Sequence, residues 1–356
     1  MEENQEIFGM LDLILRPGFC VKDNVIVKVN PSAQGLPIAA GTDVRTLLQT
    51  GENEYAAFEE GCLYVQLSLL DEAYGASITR MDGWDIFVLD PQWGSEQLQI
   101  LALAARELRQ SLSNVMIASN QLFPLVEQRQ PQIREQSARL NRSLHQMLRV
   151  IGNMSDAGRY ATGSRQEIRD VGQIFLEIMS KCQALAEQAG IVLSYQGLDE
   201  EIMCLIDAEQ LERALLNLLS NSMKFTPRGE SITVCLSRSG RMLRLSVQDC
   251  GSGIAENIRN SLFSRYLRQP CLEDSRYGIG LGMVLVRSTA VNHGGTVLID
   301  QPNGKGTRIT MTLAIRQNNA NTLHSPILHP DYAGGWDHGL IELAECLPLQ
   351  AYETDR

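Results

Sequence analysis

Asn217-Leu218-Leu219-Ser220-Asn221-Ser222-Met223-Lys224-Phe225 is the stretch on which the reading of this chain turns. The two asparagines stand four apart in a leucine-rich helical pattern, which puts both amides on one face. Asparagine is a poor helix former and is costly to bury without a partner. Two of them on one stripe imply either a polar ligand or an amide network tying the helix to its neighbours. Three glycine-rich turns follow in order: Asp249-Cys250-Gly251-Ser252-Gly253, Gly278-Ile279-Gly280-Leu281-Gly282 and Asn303-Gly304-Lys305-Gly306-Thr307.

Each of these pieces carries a chemistry. Asparagine carbonyl oxygens are hard ligands suited to Mg²⁺, which takes few protein ligands and completes its shell with water and phosphate oxygens. Lys224 can meet a phosphate as a point charge. Asp249 ends a strand and precedes two glycines, so the chain can turn sharply and leave the carboxylate on a pocket floor. There it can accept from an exocyclic amine such as that of adenine. Gly278, Gly280 and Gly282 precede the apolar run Met283-Val284-Leu285-Val286, an arrangement that lets backbone N–H groups close on phosphate. A dinucleotide fingerprint does not fit, because the strand–turn–helix context and the later ribose carboxylate are missing. Gly306 and Thr307 belong to a turn that alone would be no more than a hairpin.

The chain has 356 residues with a formal net charge of −11. That length suits two or three domains, and the acidity argues against nucleic acid or an anionic membrane as the main partner. The eight cysteines are scattered without a C-x-x-C pair, which reads as reduced thiols. With an acidic N-terminus and no apolar run long enough to span a bilayer, a cytoplasmic location is expected.

Residues 1–92 are short apolar stretches between turns, an α+β pattern. Phe19–Pro31 reads as a strand, a tight Asp23-Asn24 turn and a second strand, and Cys62–Leu69 and Trp84–Leu89 read as two more. The hairpin closing on Asn30-Pro31-Ser32-Ala33 resembles the opening of a PAS sensor domain. Residues 93–160 are helical with a break near Gln128–Pro131. Leu101, Ala105, Leu108, Leu112, Val115, Ser119 and Leu122 recur at alternating steps of four and three, as do Leu140, Leu144, Met147, Ile151 and Met154. This is the seam of closely packed helices, and a hairpin that exposes part of it would form a four-helix bundle with a second copy. Residues 161–316 alternate helices and half-buried strands. Residues 317–356 are a polar linker and a tail containing the short amphipathic segment Gly339–Leu347.

The asparagine helix, the Asp249 turn, Leu262-Phe263, the Gly278 turn and the Gly304–Thr307 turn resemble the N, G1, F, G2 and G3 boxes of the histidine-kinase ATP-binding domain, in the family's order. The resemblance implies a multidomain α+β protein: a PAS-like sensor, a two-helix dimerisation hairpin and a C-terminal α/β-sandwich ATPase domain. It assigns ATP to Asn217, Asn221, Lys224, Asp249, Gly251, Gly253, Phe263, Gly278, Gly280, Leu281, Gly282, Gly306 and Thr307. Asn221 would hold Mg²⁺ and Asp249 would read adenine. Ser264–Tyr277, with Arg265, Arg268 and Arg276, would form a lid. The implied partners are a second protomer, identical or not, engaged through residues 93–160, and a response-regulator receiver domain.

One motif departs from the family. Its phosphoacceptor lies in a motif like His-Glu-Leu-Arg-Thr-Pro-Leu, and the matching stretch is Arg106-Glu107-Leu108-Arg109-Gln110-Ser111-Leu112. Guanidinium stays protonated and is no phosphoryl acceptor, and no histidine precedes His145. Three readings stay open. The chain binds ATP·Mg without phosphorylating itself at the usual position; it uses another acceptor, in a partner or at His145; or its ATP-binding module serves another activity, as a regulator or as a serine-protein kinase of the related anti-sigma type. At family level the resemblance implies a protein-histidine kinase that signals by ATP-dependent phosphoryl transfer. Glu107, as a base, and Gln110, as a water-orienting amide, are candidates for retained phosphatase action.

Overall fold

A computed structural model describes residues 2–70, 72–90, 95–130, 133–161, 164–254, 281–302, 305–316 and 335–353. The N-terminal unit runs α1 (Glu2–Leu13), β1 (Gly18–Lys22), β2 (Val25–Val29), β3 (Leu48–Thr50), α2 (Glu52–Ala56), β4 (Cys62–Leu69), β5 (Glu72–Met81) and β6 (Trp84–Leu89). The β1–β2 turn has φ of 52° at Asp23 and 64° at Asn24. Two consecutive positive φ values match the right-handed twist of a two-residue hairpin, and Asp and Asn tolerate them better than most residues. The strands lie in the order β2-β1-β6-β5-β4, around a core of Phe19, Phe87, Ile78 and Val65.

Two long helices follow, α3 (Ser95–Arg129) and α4 (Arg134–Ala161). The seam divides as the hairpin requires. Ala105, Leu112, Ser119, Leu144 and Ile151 are buried, whereas Leu108, Val115, Leu122, Leu140 and Met147 are each about half exposed.

The C-terminal unit comprises β7 (Glu167–Asp170), α5 (Val171–Gln188), β8 (Val192–Gln196), β9 (Met203–Ile206), α6 (Ala208–Phe225), β10 (Ser231–Ser239) and β11 (Met242–Asp249). Then come α7 (Leu281–Asn292), β12 (Val297–Asp300) and β13 (Arg308–Ala314). Its main sheet is ordered β12-β13-β11-β10-β8, parallel only between β10 and β8. Asp207 caps α6 by accepting from the Gln210 N–H at 3.1 Å, a contribution of about 1 kcal/mol. The apolar face of α6, Leu211, Leu215, Leu218 and Leu219, is buried in the same core as Val234, Leu245 and Met311 of the sheet.

Two features were not expected from the sequence. β12 pairs with β4, Val297 opposite Tyr64 and Ile299 opposite Cys62, so the N- and C-terminal sheets form one continuous surface. The described part of the C-terminal tail, 335–353, is also built into the molecule. It contains α8 (His338–Glu342), and Leu343, Ala344, Leu347 and Tyr352 are buried in the same core as Leu215, Leu218 and Leu219 of α6.

Candidate functional site

The ends of β11, β13, α6 and α7 carry most of the residues singled out in the sequence. Asp249 is buried, and its Oδ1 accepts from the N–H of Gly251 at 2.9 Å and that of Thr307 at 3.1 Å. The Asp249 N–H in turn donates to the Thr307 carbonyl at 2.9 Å. Two of the glycine turns, far apart in sequence, are thus stitched together by one carboxylate. Gly253 and Gly306 both have positive φ, 77° and 68°. Burial pushes the Asp249 carboxyl above the usual carboxylate range, against the hydrogen bonds from Gly251, Thr307 and Ser222.

The two asparagines of α6 share a face but not an environment. Asn217 is fully buried. Its amide donates to the Arg213 carbonyl at 2.9 Å, and its Oδ1 accepts from Arg149 of α4 at 3.5 Å. Asn221 is half-buried, with no hydrogen bond to its side chain among the described residues. Leu281 and Gly282 open α7 against this stripe. A Cβ on Gly282 would stand 2.6 Å from Asn217 Oδ1. Lys224 is paired with Glu345 of the tail. Phe263, Gly278, Gly280 and Gly304, the segment 264–277 and its arginines lie outside the described residues.

Arg149 and Arg213 are buried neighbours of Asn217 that sequence reasoning missed. Arg213 is nearly inaccessible and reaches Asp156 at 2.6 Å, Glu342 at 2.8 Å and Asn153 Oδ1 at 2.8 Å. Arg149 lies 3.4 Å from Glu342 and 3.2 Å from Glu345. A signal was available: Asn141, His145, Arg149, Asn153 and Asp156 follow one face of α4, and all are buried.

On the hairpin, Arg106, Glu107 and Gln110 are exposed on α3. Arg106 and Arg109 line a cleft of about 600 Å³ with Ala102, Leu103, Ser155, Gly158 and Arg159. His145 lies elsewhere. It is buried, its Nδ1 is 2.8 Å from the Asn141 carbonyl, and it packs edge-on against Trp336 and Tyr352 of the tail. Burial lowers its pKa below the ordinary imidazole value.

Residues 206–317 match the family model described as histidine kinase-, DNA gyrase B- and HSP90-like ATPase. The chain is similar to sensor histidine kinases over and beyond that segment. It is 29% identical over 225 residues to an uncharacterized sensor-like histidine kinase of Rhizobium meliloti, covering 60% of this chain and 42% of that protein. It is 35% identical over 148 residues to the sensor histidine kinase CusS of Escherichia coli O157:H7, covering 41% of this chain and 29% of CusS. The chain therefore spans less than half the length of these relatives. A solved structure of the mycobacterial sensor histidine kinase MprB is 26% identical, with a TM-score of 0.37 over 43% of this chain and 99% of that one. Among the described residues, no helix is long and apolar enough to cross a membrane.

Proposed function

We propose that this protein binds ATP with Mg²⁺ at the α6–β11–α7–β13 site and signals within a two-component system as a nucleotide-binding regulator that does not phosphorylate itself at residue 106. The observation that carries this reading is the pairing of an assembled nucleotide site with an arginine where the family's acceptor stands. The residues present fit the nucleotide. Asp249 is a buried carboxylate on a floor of backbone N–H groups, suited to accept from adenine's exocyclic amine. Asn221 is a half-buried amide with no side-chain partner among the described residues, suited to a metal ion. Gly251, Gly253, Leu281, Gly282, Gly306 and Thr307 supply close backbone approach. A bound Mg²⁺ would screen phosphate charge; the chain's own residues position and orient.

The N-terminal unit serves as the PAS-like sensor, a reading supported by its strand order. The hairpin serves as the dimerisation element, because Leu108, Val115, Leu122, Leu140 and Met147 continue the seam on its uncovered side. A second copy or a related protomer would complete the four-helix bundle. Glu107 and Gln110 are exposed together on α3, which favours a second activity: dephosphorylation of a receiver domain docked on that helix.

Labelled ATP·Mg, followed by an acid-lability test of protein-bound phosphate, examines the main reading. Binding without label is the expected result. Acid-labile label that disappears in His145→Ala would replace it with a kinase reading, and absence of binding would remove both. Incubation with a phosphorylated receiver domain tests the second activity; Gln110→Ala should slow dephosphorylation, and an unchanged rate rejects the assignment.

A further inference from the structure

The C-terminal segment sets two carboxylates against the cationic side of the site. Glu345 pairs with Lys224, which the sequence assigns to phosphate, and also with Arg149, whose Nη2 is the donor to Asn217. Glu342 is fully buried between Arg149 and Arg213. Backbone carbonyls complete the attachment to α4. Arg142 donates to the Ala344 carbonyl at 3.0 Å and to that of Glu345 at 3.1 Å, and Asn141 donates to that of Tyr352 at 3.2 Å.

We propose that residues 335–353 are an intramolecular clamp that competes with the nucleotide's phosphates for Lys224 and, while docked, holds the hairpin helix α4 against the ATP-binding unit. The proposal rests on the assignment of ATP to this site. A carboxylate and a phosphate oxygen make the same demand of an ammonium group, so Lys224 cannot serve both fully. Glu345 is held below the usual carboxylate range because Arg149 and Lys224 outweigh the burial that would raise it. The pairing therefore favours the carboxylate, the form that competes for Lys224. The clamp also has the composition of a displaceable element. Glu345 sits at the rim, 29% exposed, whereas Glu342 at 0% forms the anchor. Release of Glu345 frees Lys224 and half of Arg149's charge partners at once. Nucleotide site and hairpin are coupled through one side chain.

The test uses the full-length protein with Mg·ATP as the probe. Glu345→Gln keeps the shape and removes the competing charge, so it should bind Mg·ATP about fivefold more tightly than wild type, the scale of a part-exposed ion pair. In a Lys224→Gln background the same change should give no gain. A second measurement needs no variant: saturating Mg·ATP should raise hydrogen exchange at the amides of 338–347 in wild type. Equal, measurable affinity of wild type and Glu345→Gln, or unchanged exchange under saturating nucleotide, overturns the clamp and leaves the ATP site standing. Absence of Mg·ATP binding by both proteins overturns the ATP assignment, and the clamp with it.

Discussion

Arg213 of α6 donates from Nη1 to Glu342 Oε1 at 2.8 Å, and neither side chain is more than 2% exposed. Two ions held away from water stabilise a fold little relative to apolar replacements, but removing one leaves the other uncompensated. Arg213 also has Asp156, and Arg149 shares Glu342. Glu342→Ala leaves Arg213 with Asp156 and Arg149 with Glu345, so it should cost about 1.5–3 kcal/mol, the scale of a hydrogen bond to a charged group, read as a fall in the urea midpoint. A loss below about 1 kcal/mol, the scale of an exposed pair, would show that the tail is not desolvated against α6.

Asp249 supports a prediction with a definite sign in pH. Its folded-state pKa is raised by burial, so the native carboxyl binds a proton more readily than the unfolded one. The stability contributed by that site is full in acid and is lost as pH rises through the raised value. At pH 7 the ionised carboxylate is a liability in the empty site. Asp249→Asn keeps an oxygen to accept from Gly251 and Thr307, so its melting temperature at pH 7 should equal or exceed that of wild type. The advantage should shrink toward pH 4. Nucleotide affinity should fall at least about tenfold, because an amide donor would face adenine's amine. A variant clearly less stable at pH 7 would contradict the raised pKa.

Gly282 and Asn217 give a steric test of the pocket. A methyl group at 282 would stand 2.6 Å from Asn217 Oδ1, closer than a carbon and an oxygen can approach. Gly282→Ala should force Asn217 from its bond with Arg149 and weaken Mg·ATP binding by about tenfold or more. Stability should fall by only about 1–2 kcal/mol. Isothermal titration beside thermal melts separates the two effects, and an unchanged affinity would detach Asn217 from the site.

Much of this was legible in the chain. Cys62–Leu69 and Trp84–Leu89 read as strands and are strands with those bounds. The break after Arg129 and the Asp23-Asn24 turn were likewise visible. β5 was not, because Tyr74-Gly75-Ala76-Ser77 carries small and polar residues where a strand signal needs branched ones. β7, Glu-Ile-Arg-Asp, exists only through its pairing with β9 and has no signal of its own. In the site, the order of the glycine turns sufficed to bring Asp249 and Thr307 together. The polar face of α4, Asn141 to Asp156, reads as a solvent face because its partners are the distant residues 335–353 and α6. Local pattern cannot announce a burial supplied from far along the chain.

The uncovered seam of the hairpin predicts assembly. Val115 and Leu108, at 51% and 52% exposure, lie on the face that continues the heptad pattern, and a charge there would be buried in a four-helix bundle. Val115→Glu should shift the protein from dimer to monomer by light scattering while leaving helicity unchanged. A wild-type monomer at tens of micromolar would reject the bundle.

The continuous sheet joins the N-terminal unit, through β4 and β12, to the sheet that carries the proposed nucleotide site. The pairing depends on Gly61, with φ of 101°, where a Cβ would collide with the Ile299 carbonyl. Any other residue there is strained as well as obstructed, at a cost of about 1–2 kcal/mol from backbone conformation alone. Gly61→Ala should open the β4–β12 ladder, so hydrogen exchange should rise at the paired amides of 297–299 and less within β5 and β6, which have their own partners. β12 continues through β13 to Thr307, the residue that holds Asp249. Loosening the ladder should therefore also weaken Mg·ATP binding, by about two- to fivefold for a coupling near 0.5–1 kcal/mol. Raised exchange with unchanged affinity would mean that the joined sheets hold the two units together without passing strain between them.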